Sequence, residues 1–261
     1  MSAAALEPLL REALGSASRV DHLLVACDFD GTLAPIVAHR DDARALPESL
    51  DALGVLTALR DTTVAVVSGR ALRDLADVGH LPEGVLLVGS HGAEVGDDEP
   101  DAEPDHEVVA RRDELLDAVR SVTLGVPGVD LEPKPAGVAV HVRAAARTEA
   151  ARVLDALRAG PAQIPGVVAL AGKEVLELSV VSADKGAALE VLRRRATATA
   201  TVFLGDDVTD ETAFDRLLPG DVGIKVGPGV TGAEHRVPDP HVVADALALL
   251  ATERAAWLAR P

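Results

Sequence analysis

Short apolar runs that stop abruptly at polar loops, with helical patterns between them, constrain this chain more than any other feature. Residues 23–27 (Leu-Leu-Val-Ala-Cys) break straight into Asp28-Phe29-Asp30-Gly31-Thr32. Residues 63–67 end at Ser68-Gly69 and residues 201–204 at Gly205-Asp206-Asp207, while residues 85–88 and 222–226 are further runs of the same kind. Apolar runs this short, without polar alternation, read as strands covered on both faces. Between them, residues 47–60, 70–78, 185–194, 210–218 and 241–258 carry helical spacing. In the first of these, Leu53, Leu56 and Leu59 follow Pro47 and Glu48, a pair suited to a helix start. Strands alternating with helices predict an α/β fold on a parallel sheet.

The rhythm is interrupted once. Residues 96–105 are acidic and contain Pro100 and Pro104, the pattern of a linker. Residues 107–122 then predict a helix with Val108, Leu115, Val119 and Val122 on one face. Val138, Val140 and Val142 alternate with Ala139 and His141, as in a half-exposed antiparallel strand. A helix over 148–159 and strands over 167–170 and 175–181 follow. The block reads helix-strand-strand twice, a small α+β unit set into the α/β domain. The expected division is a core over 1–101 and 182–261, with an inserted domain over 102–181.

Charge limits the partners. A formal net charge of −17 excludes a general affinity for nucleic acid or an anionic membrane surface, so an anionic substrate needs a local cluster of basic groups. No uncharged stretch is long enough for a membrane span and no signal-peptide pattern is present; a soluble, cytoplasmic monomer is expected. Aromatic residues make up only 2%, so Ala, Val and Leu must build the core. The single cysteine, Cys27, excludes an internal disulfide and reads as a core residue. Lysine is scarce: Lys134, Lys173, Lys185 and Lys225 stand against 21 arginines. A lysine kept in such a chain marks a place for a compact ammonium where a planar guanidinium does not fit. Lys225 is the exception, read as a chance survival without a role.

In an open parallel sheet, ligands bind outside the carboxyl ends of the strands. Asp28 with Asp30, Ser68-Gly69-Arg70, and Asp206-Asp207 with Asp210 stand at such ends, and Lys185 opens a helix. Each motif alone reads as a turn or a solvated loop; all of them in order do not. Together they are complete for phosphoryl transfer. Asp28 can attack phosphorus as a nucleophile, and Asp30 can protonate the leaving oxygen. Asp28 and Asp206 make a hard oxygen site for Mg²⁺. Ser68 offers a hydroxyl, Gly31 and Gly69 offer backbone N–H groups, and Lys185 at a helix start neutralises the transferring group.

Asp28-Phe29-Asp30-Gly31-Thr32-Leu33 resembles the first motif of the haloacid-dehalogenase-like (HAD) phosphatases. Ser68, Lys185 and Gly205-Asp206-Asp207 with Asp210 resemble the second, third and fourth, so the resemblance covers nearly the whole chain. It implies a Rossmann-like core and a phospho-aspartyl intermediate on Asp28, with Asp30 as general acid and base. The Asp30 backbone carbonyl and Asp206 are implied metal ligands, and Asp207 is a further candidate. A narrower set is similar to the trehalose-6-phosphate phosphatases: Leu33-Ala34-Pro35-Ile36, Val66-Val67-Ser68-Gly69-Arg70, Gly89-Ser90-His91-Gly92-Ala93-Glu94 and the stretch from Gly205 to Glu211. That family carries an inserted αββαββ cap. Its sugar-binding pattern falls here on Glu132 and Lys134, on His141 and Arg143, and on Gly172-Lys173 with Glu177; Val142 stands where the family often has an aromatic residue. Gly69, Arg70 and His91 are expected to meet substrate. The implied activity is hydrolysis of trehalose 6-phosphate, with a sugar phosphate as the small-molecule partner and Mg²⁺ as the cofactor. Two other readings stand beside it. A phosphatase for a sucrose or mannosyl phosphate would differ only in its cap contacts. A receiver-like phospho-aspartate signalling domain would need neither Asp30 nor a cap.

Overall fold

The run Leu23–Cys27 forms a strand with all five residues buried. The computed structural model describes residues 6–37, 39–96, 106–134, 136–172, 174–180 and 184–260. Its elements, in chain order, are α1 (Pro8–Ala17), β1 (Leu23–Cys27), α2 (Pro47–Ala58), β2 (Thr62–Val67), α3 (Leu72–Gly79), β3 (Leu86–Gly89), β4 (Glu94–Val95), α4 (His106–Thr123), β5 (Asp130–Lys134), β6 (Gly137–His141), α5 (Arg147–Ala159), β7 (Val168–Gly172), β8 (Val175–Ser179), α6 (Lys185–Ala196), β9 (Ala200–Gly205), α7 (Val208–Phe214), β10 (Val222–Val226), β11 (His235–Val237) and α8 (Pro240–Leu258). They form two units, one of Met1–Asp97 with Asp184–Pro261 and one of Asp98–Ala183.

In the first unit a seven-stranded sheet runs in the order β11-β10-β9-β1-β2-β3-β4, parallel throughout except between β3 and β4. Leu23, Val25 and Cys27 pack with Leu10 of α1, Leu53 of α2 and Leu247 of α8, whereas Leu24 and Ala26 pack with Leu189 of α6 and Phe214 of α7. Side chains that alternate between two helix-covered faces are all buried, which is why β1 shows no polar alternation. The winding reverses at β1: β2 and β3 extend the sheet on one side, β9 and β10 on the other. The carboxyl ends of β1 and β9 therefore flank the crevice where such sheets take ligands. At the opposite end, the wholly buried Arg254 donates to the carbonyls of Ser18, Val20, Asp21 and Asp61 and to Thr62 Oγ1, tying the amino ends of β1 and β2 to α8.

The helix α1 and the strands β4 and β11 are additions to the elements expected from the sequence. β4 and β11 span only two and three residues and are strands through pairing with β3 and β10, not through a pattern of their own.

The second unit runs α4-β5-β6-α5-β7-β8, helix-strand-strand twice, with an antiparallel sheet in the order β5-β6-β8-β7. Val138, Val140, Leu176 and Leu178 pack on Leu115 and Val119 of α4 and on Val153 and Leu157 of α5. β6 departs from the half-exposed strand expected there, because Ala139 is only 3% exposed. The reason is its inner position. Ala139 stands in register between Glu132 of β5 and Glu177 of β8, and their longer side chains flank its methyl group. Among the described residues, no helix is long and apolar enough to cross a membrane.

Candidate active site

Asp28 leaves the carboxyl end of β1 and is 4% exposed. Lys185, the first residue of α6, reaches it there: Nζ lies 2.7 Å from Asp28 Oδ1 and 2.7 Å from Asp210 Oδ1. The helix begins at this point because Asp184 caps it, accepting from the Ala187 N–H at 2.7 Å. Burial disfavours the Lys185 ammonium, but Asp28 and Asp210 outweigh it and the pKa is raised. Asp28 is pushed well above the usual carboxylate range, chiefly by burial; Lys185 opposes the shift, while Asp210 and Asp206 add to it. Burial likewise raises Asp206, to about 6. Burial, followed by the neighbouring Asp28 charge, raises the Cys27 thiol, so it stays protonated inside the core.

Asp28, Asp206 and Asp210 each offer a carboxylate oxygen, all within 4.8 Å of one another. The three are not equivalent. Asp210 Oδ1 takes Lys185, and Asp210 Oδ2 takes the N–H groups of Asp206 and Asp207 at 2.8 and 2.9 Å. Asp206 Oδ1, by contrast, is buried with no hydrogen-bond partner among the described residues. A buried carboxylate oxygen without a donor, beside a second carboxylate, fits a hard cation. Asp28 and Asp206 are the residues suited to hold one, with Asp210 fixing both. Asp207, expected as a ligand, lies outside this cluster; it is the residue before α7, and its N–H serves Asp210. Gly31 permits the arrangement. Its φ is +84°, and a β-carbon there would lie 2.1 Å from Asp206 Oδ2.

Arg70, expected to meet substrate, is committed to Asp30. Nε lies 2.6 Å from Asp30 Oδ2 and Nη2 lies 2.7 Å from Asp30 Oδ1, a fork on a carboxylate. The guanidinium also donates to the Arg40 carbonyl at 2.7 Å, lies 3.4 Å from Asp74 and stacks over Phe29 at 5.5 Å, leaving it 4% exposed. So engaged, Arg70 positions Asp30. Ser68, at the end of β2, is 1% exposed and accepts from the Arg70 N–H at 3.2 Å. The His91 ring lies against Gly69, where a β-carbon would come within 2.5 Å of it. Ser90 and His91 have φ of +47° and +57°, an unusual pair for residues with side chains. Their N–H groups bond the carbonyls of Arg70 and Ser68 at 2.7 and 2.9 Å, which fastens the loop after β3 to the loop after β2.

In the second unit, Glu132, Lys134, His141 and Glu177 share the sheet face opposite the apolar one. Lys134 Nζ lies 2.8 Å from Glu177 Oε1, and His141 Nε2 lies 2.9 Å from Glu132 Oε2. Arg143 is not drawn into this group: it follows the end of β6, is 67% exposed and lies 3.3 Å from Glu174. Lys173 lies outside the described residues.

The family model for trehalose-phosphatase matches residues 26–238. The chain belongs to the trehalose-phosphatase family. The trehalose-phosphate phosphatase of Mycobacterium ulcerans (strain Agy99) is 35% identical over 265 residues, which cover 94% of this chain and 66% of that protein. The chain thus spans just under two thirds of that relative's length, and 53% of the Mycobacterium avium (strain 104) relative, which is 39% identical over 210 residues. Among solved structures, a trehalose-6-phosphate phosphatase related protein superposes with a TM-score of 0.71 at 26% identity, covering 88% of this chain and 97% of that one.

Within this trehalose-phosphatase family chain, two residues have parts that differ from the sequence expectation: Asp210, with no role assigned there, and Arg70, expected to meet substrate. Asp210 carried a signal: it is the third residue of α7, where an acidic side chain turns back on the N–H groups before the helix. Arg70 carried none, because its partner Asp30 is forty positions away in the chain.

Proposed function

We propose that this chain hydrolyses trehalose 6-phosphate to trehalose and phosphate through a phospho-aspartyl intermediate on Asp28, and that Asp28 and Asp206 would hold Mg²⁺. The observation that carries the reading is the buried Lys185 ammonium between Asp28 and Asp210, beside an Asp206 oxygen that has no donor among the described residues. An Asp28 oxygen forms a bond to phosphorus as the bond from phosphorus to the sugar oxygen breaks, and Asp30 gives its proton to that oxygen. Water then attacks the acyl phosphate while Asp30 takes its proton, releasing phosphate and restoring Asp28. Lys185, the Ser68 hydroxyl and the backbone N–H of Gly69 hold the phosphoryl oxygens. When bound, the cation supplies the positive charge that lets two carboxylates and a phosphate share one site. Arg70 holds the Asp30 carboxylate before substrate binds, and one arm of its fork must open for Asp30 to carry the proton it gives.

Sugar recognition falls to the inserted domain. Glu132, Lys134, His141 and Glu177, with Arg143 and Lys173, mix acceptors and donors in the way neutral hydroxyls require. Phosphate release from trehalose 6-phosphate, glucose 6-phosphate and sucrose 6-phosphate, run side by side, tests the reading. Trehalose 6-phosphate is expected to be the fastest by a wide margin; equal rates would return the sucrose and mannosyl phosphates as rivals. Glu177→Ala is expected to cut activity on trehalose 6-phosphate by roughly tenfold or more, about 1.4 kcal/mol in the barrier. It should leave hydrolysis of a small aryl phosphate near the parent rate. Equal losses on both substrates would make Glu177 a structural residue.

The raised Asp206 pKa predicts how cation and proton compete. The folded chain keeps this proton up to about pH 6, whereas an ordinary aspartate releases it near 3.8. The stabilisation from proton uptake is full below 3.8 and is lost as pH rises through about 6. A bound cation takes the proton's place. Mg²⁺ is therefore expected to raise Tm little at pH 5 and most above pH 7. A Mg²⁺-induced Tm shift that is constant over this range would remove Asp206 from the cation site.

A further inference from the structure

Lys225 is a buried ammonium, 3% exposed, on β10 between Ile224 and Val226. It stands in register beside Gly205, the last residue of β9. Its Nζ donates to the carbonyl of Asp206 and lies 3.9 Å from Glu211 Oε1. The peptide unit joining Asp206 to Asp207 is thereby held at both edges, its carbonyl by Lys225 and its N–H by Asp210 Oδ2 at 2.9 Å. The N–H of Asp206 itself bonds the same Asp210 oxygen at 2.8 Å. Glu211 also accepts from the Gly232 N–H at 2.9 Å, which ties α7 to the loop after β10. A peptide plane clamped on both edges cannot tilt, so the direction in which Asp206 projects its carboxylate is set by the fold.

We infer that Lys225 is a positioning residue for divalent-cation binding, acting on Asp206 through the backbone carbonyl. The inference rests on Asp28 and Asp206 being the cation site, and it replaces the expectation that Lys225 has no role. A compact ammonium fits between two strands where a guanidinium fork does not. Without it the carbonyl loses its donor, the peptide unit gains freedom, and the carboxylate is no longer presented in one orientation. Supporting groups of this kind contribute about ten- to a hundredfold to metal affinity.

The test is calorimetric titration of Mg²⁺ into the full chain and its Lys225→Met and Lys225→Gln variants, with Tm in chelator measured alongside. Lys225→Met is expected to weaken Mg²⁺ binding by about tenfold or more. Lys225→Gln, which keeps a neutral donor, is expected to lose less. Turnover at saturating Mg²⁺ should return to within about threefold of the parent in both, because the reacting groups are intact. A purely structural lysine would lower Tm in chelator and leave Mg²⁺ affinity unchanged; that result overturns the inference. So does failure of both variants to reach the parent's circular dichroism spectrum. If the parent chain itself binds no Mg²⁺, the cation-site reading falls and the role of Lys225 with it. A parent that binds, beside variants that bind equally well, refutes the Lys225 role alone.

Discussion

Asp28→Asn is expected to remove at least about 99.9% of turnover, a barrier increase above ~4 kcal/mol. The substitution changes almost no volume, but an amide cannot form the acyl phosphate. The loss should be as complete on a small aryl phosphate as on trehalose 6-phosphate, because it strikes the phosphorus and not the sugar. Stability should move the other way. Burial pushes the Asp28 pKa up, so the carboxylate is disfavoured where it stands, while Lys185 keeps Asp210 as a partner at 2.7 Å. In chelator the variant is therefore expected to melt no lower than the parent. Retention of more than about 1% activity, a barrier increase under ~2.7 kcal/mol, would end the covalent mechanism. A large fall in Tm would show that the Asp28 charge is needed for the fold.

Lys185→Met is expected to cost activity and stability together. The ammonium stands between two carboxylates that are 4% and 0% exposed. Its removal leaves Asp28 and Asp210 facing each other without a counter-charge, a change of the kind that costs about 3–5 kcal/mol. Turnover should fall by about a thousandfold or more on any phosphate ester. The stability loss carries a pH signature. Lys185 acts to lower the Asp28 pKa, so without it the carboxyl protonates more readily. Protonation relieves the repulsion, and the Tm deficit should be smaller at pH 5 than at pH 8. A deficit independent of pH would mean that the lysine is lost as packing and not as charge. Unimpaired turnover would take Lys185 out of the phosphoryl site.

Much of the core was legible because it is local. A strand covered on both faces must be apolar along its whole length, and β1 and β9 are; where the apolar run stops, the chain leaves the sheet at its carboxyl end. Asp28 and Asp206 could therefore be placed at carboxyl ends of strands in one sheet from order and spacing, while the pairing of β1 with β9 is what makes them neighbours. The helix-strand-strand repeat of the second unit was legible for the same reason, through hydrophobic period. β4 and β11 were not, since two or three residues carry no period and become strands only against a neighbour.

Partner choice was not legible. Arg70 follows Ser68-Gly69 as a substrate ligand would, yet it forks onto Asp30, a pairing that exists only once β1 and β2 lie side by side. Asp207 and Asp210 are both acidic and three positions apart, a spacing that suits a helix start but does not say that Asp210 also takes Lys185. The start of α7 decides it, sending Asp210 to Lys185 and to two N–H groups and leaving Asp207 at the helix entrance. Ala139 looked exposed by alternation and is covered by cross-strand glutamates. Lys225 looked incidental in an apolar run and reaches the Asp206 carbonyl on the adjoining strand's loop. By itself the sequence determined which residues could do the chemistry and which segments carry them, because residue type and hydrophobic period are properties of short stretches. Which carboxylate is left without a donor, and which cation is tied to which anion, was decided only by the tertiary structure, because each of those pairings joins atoms brought together by the sheet.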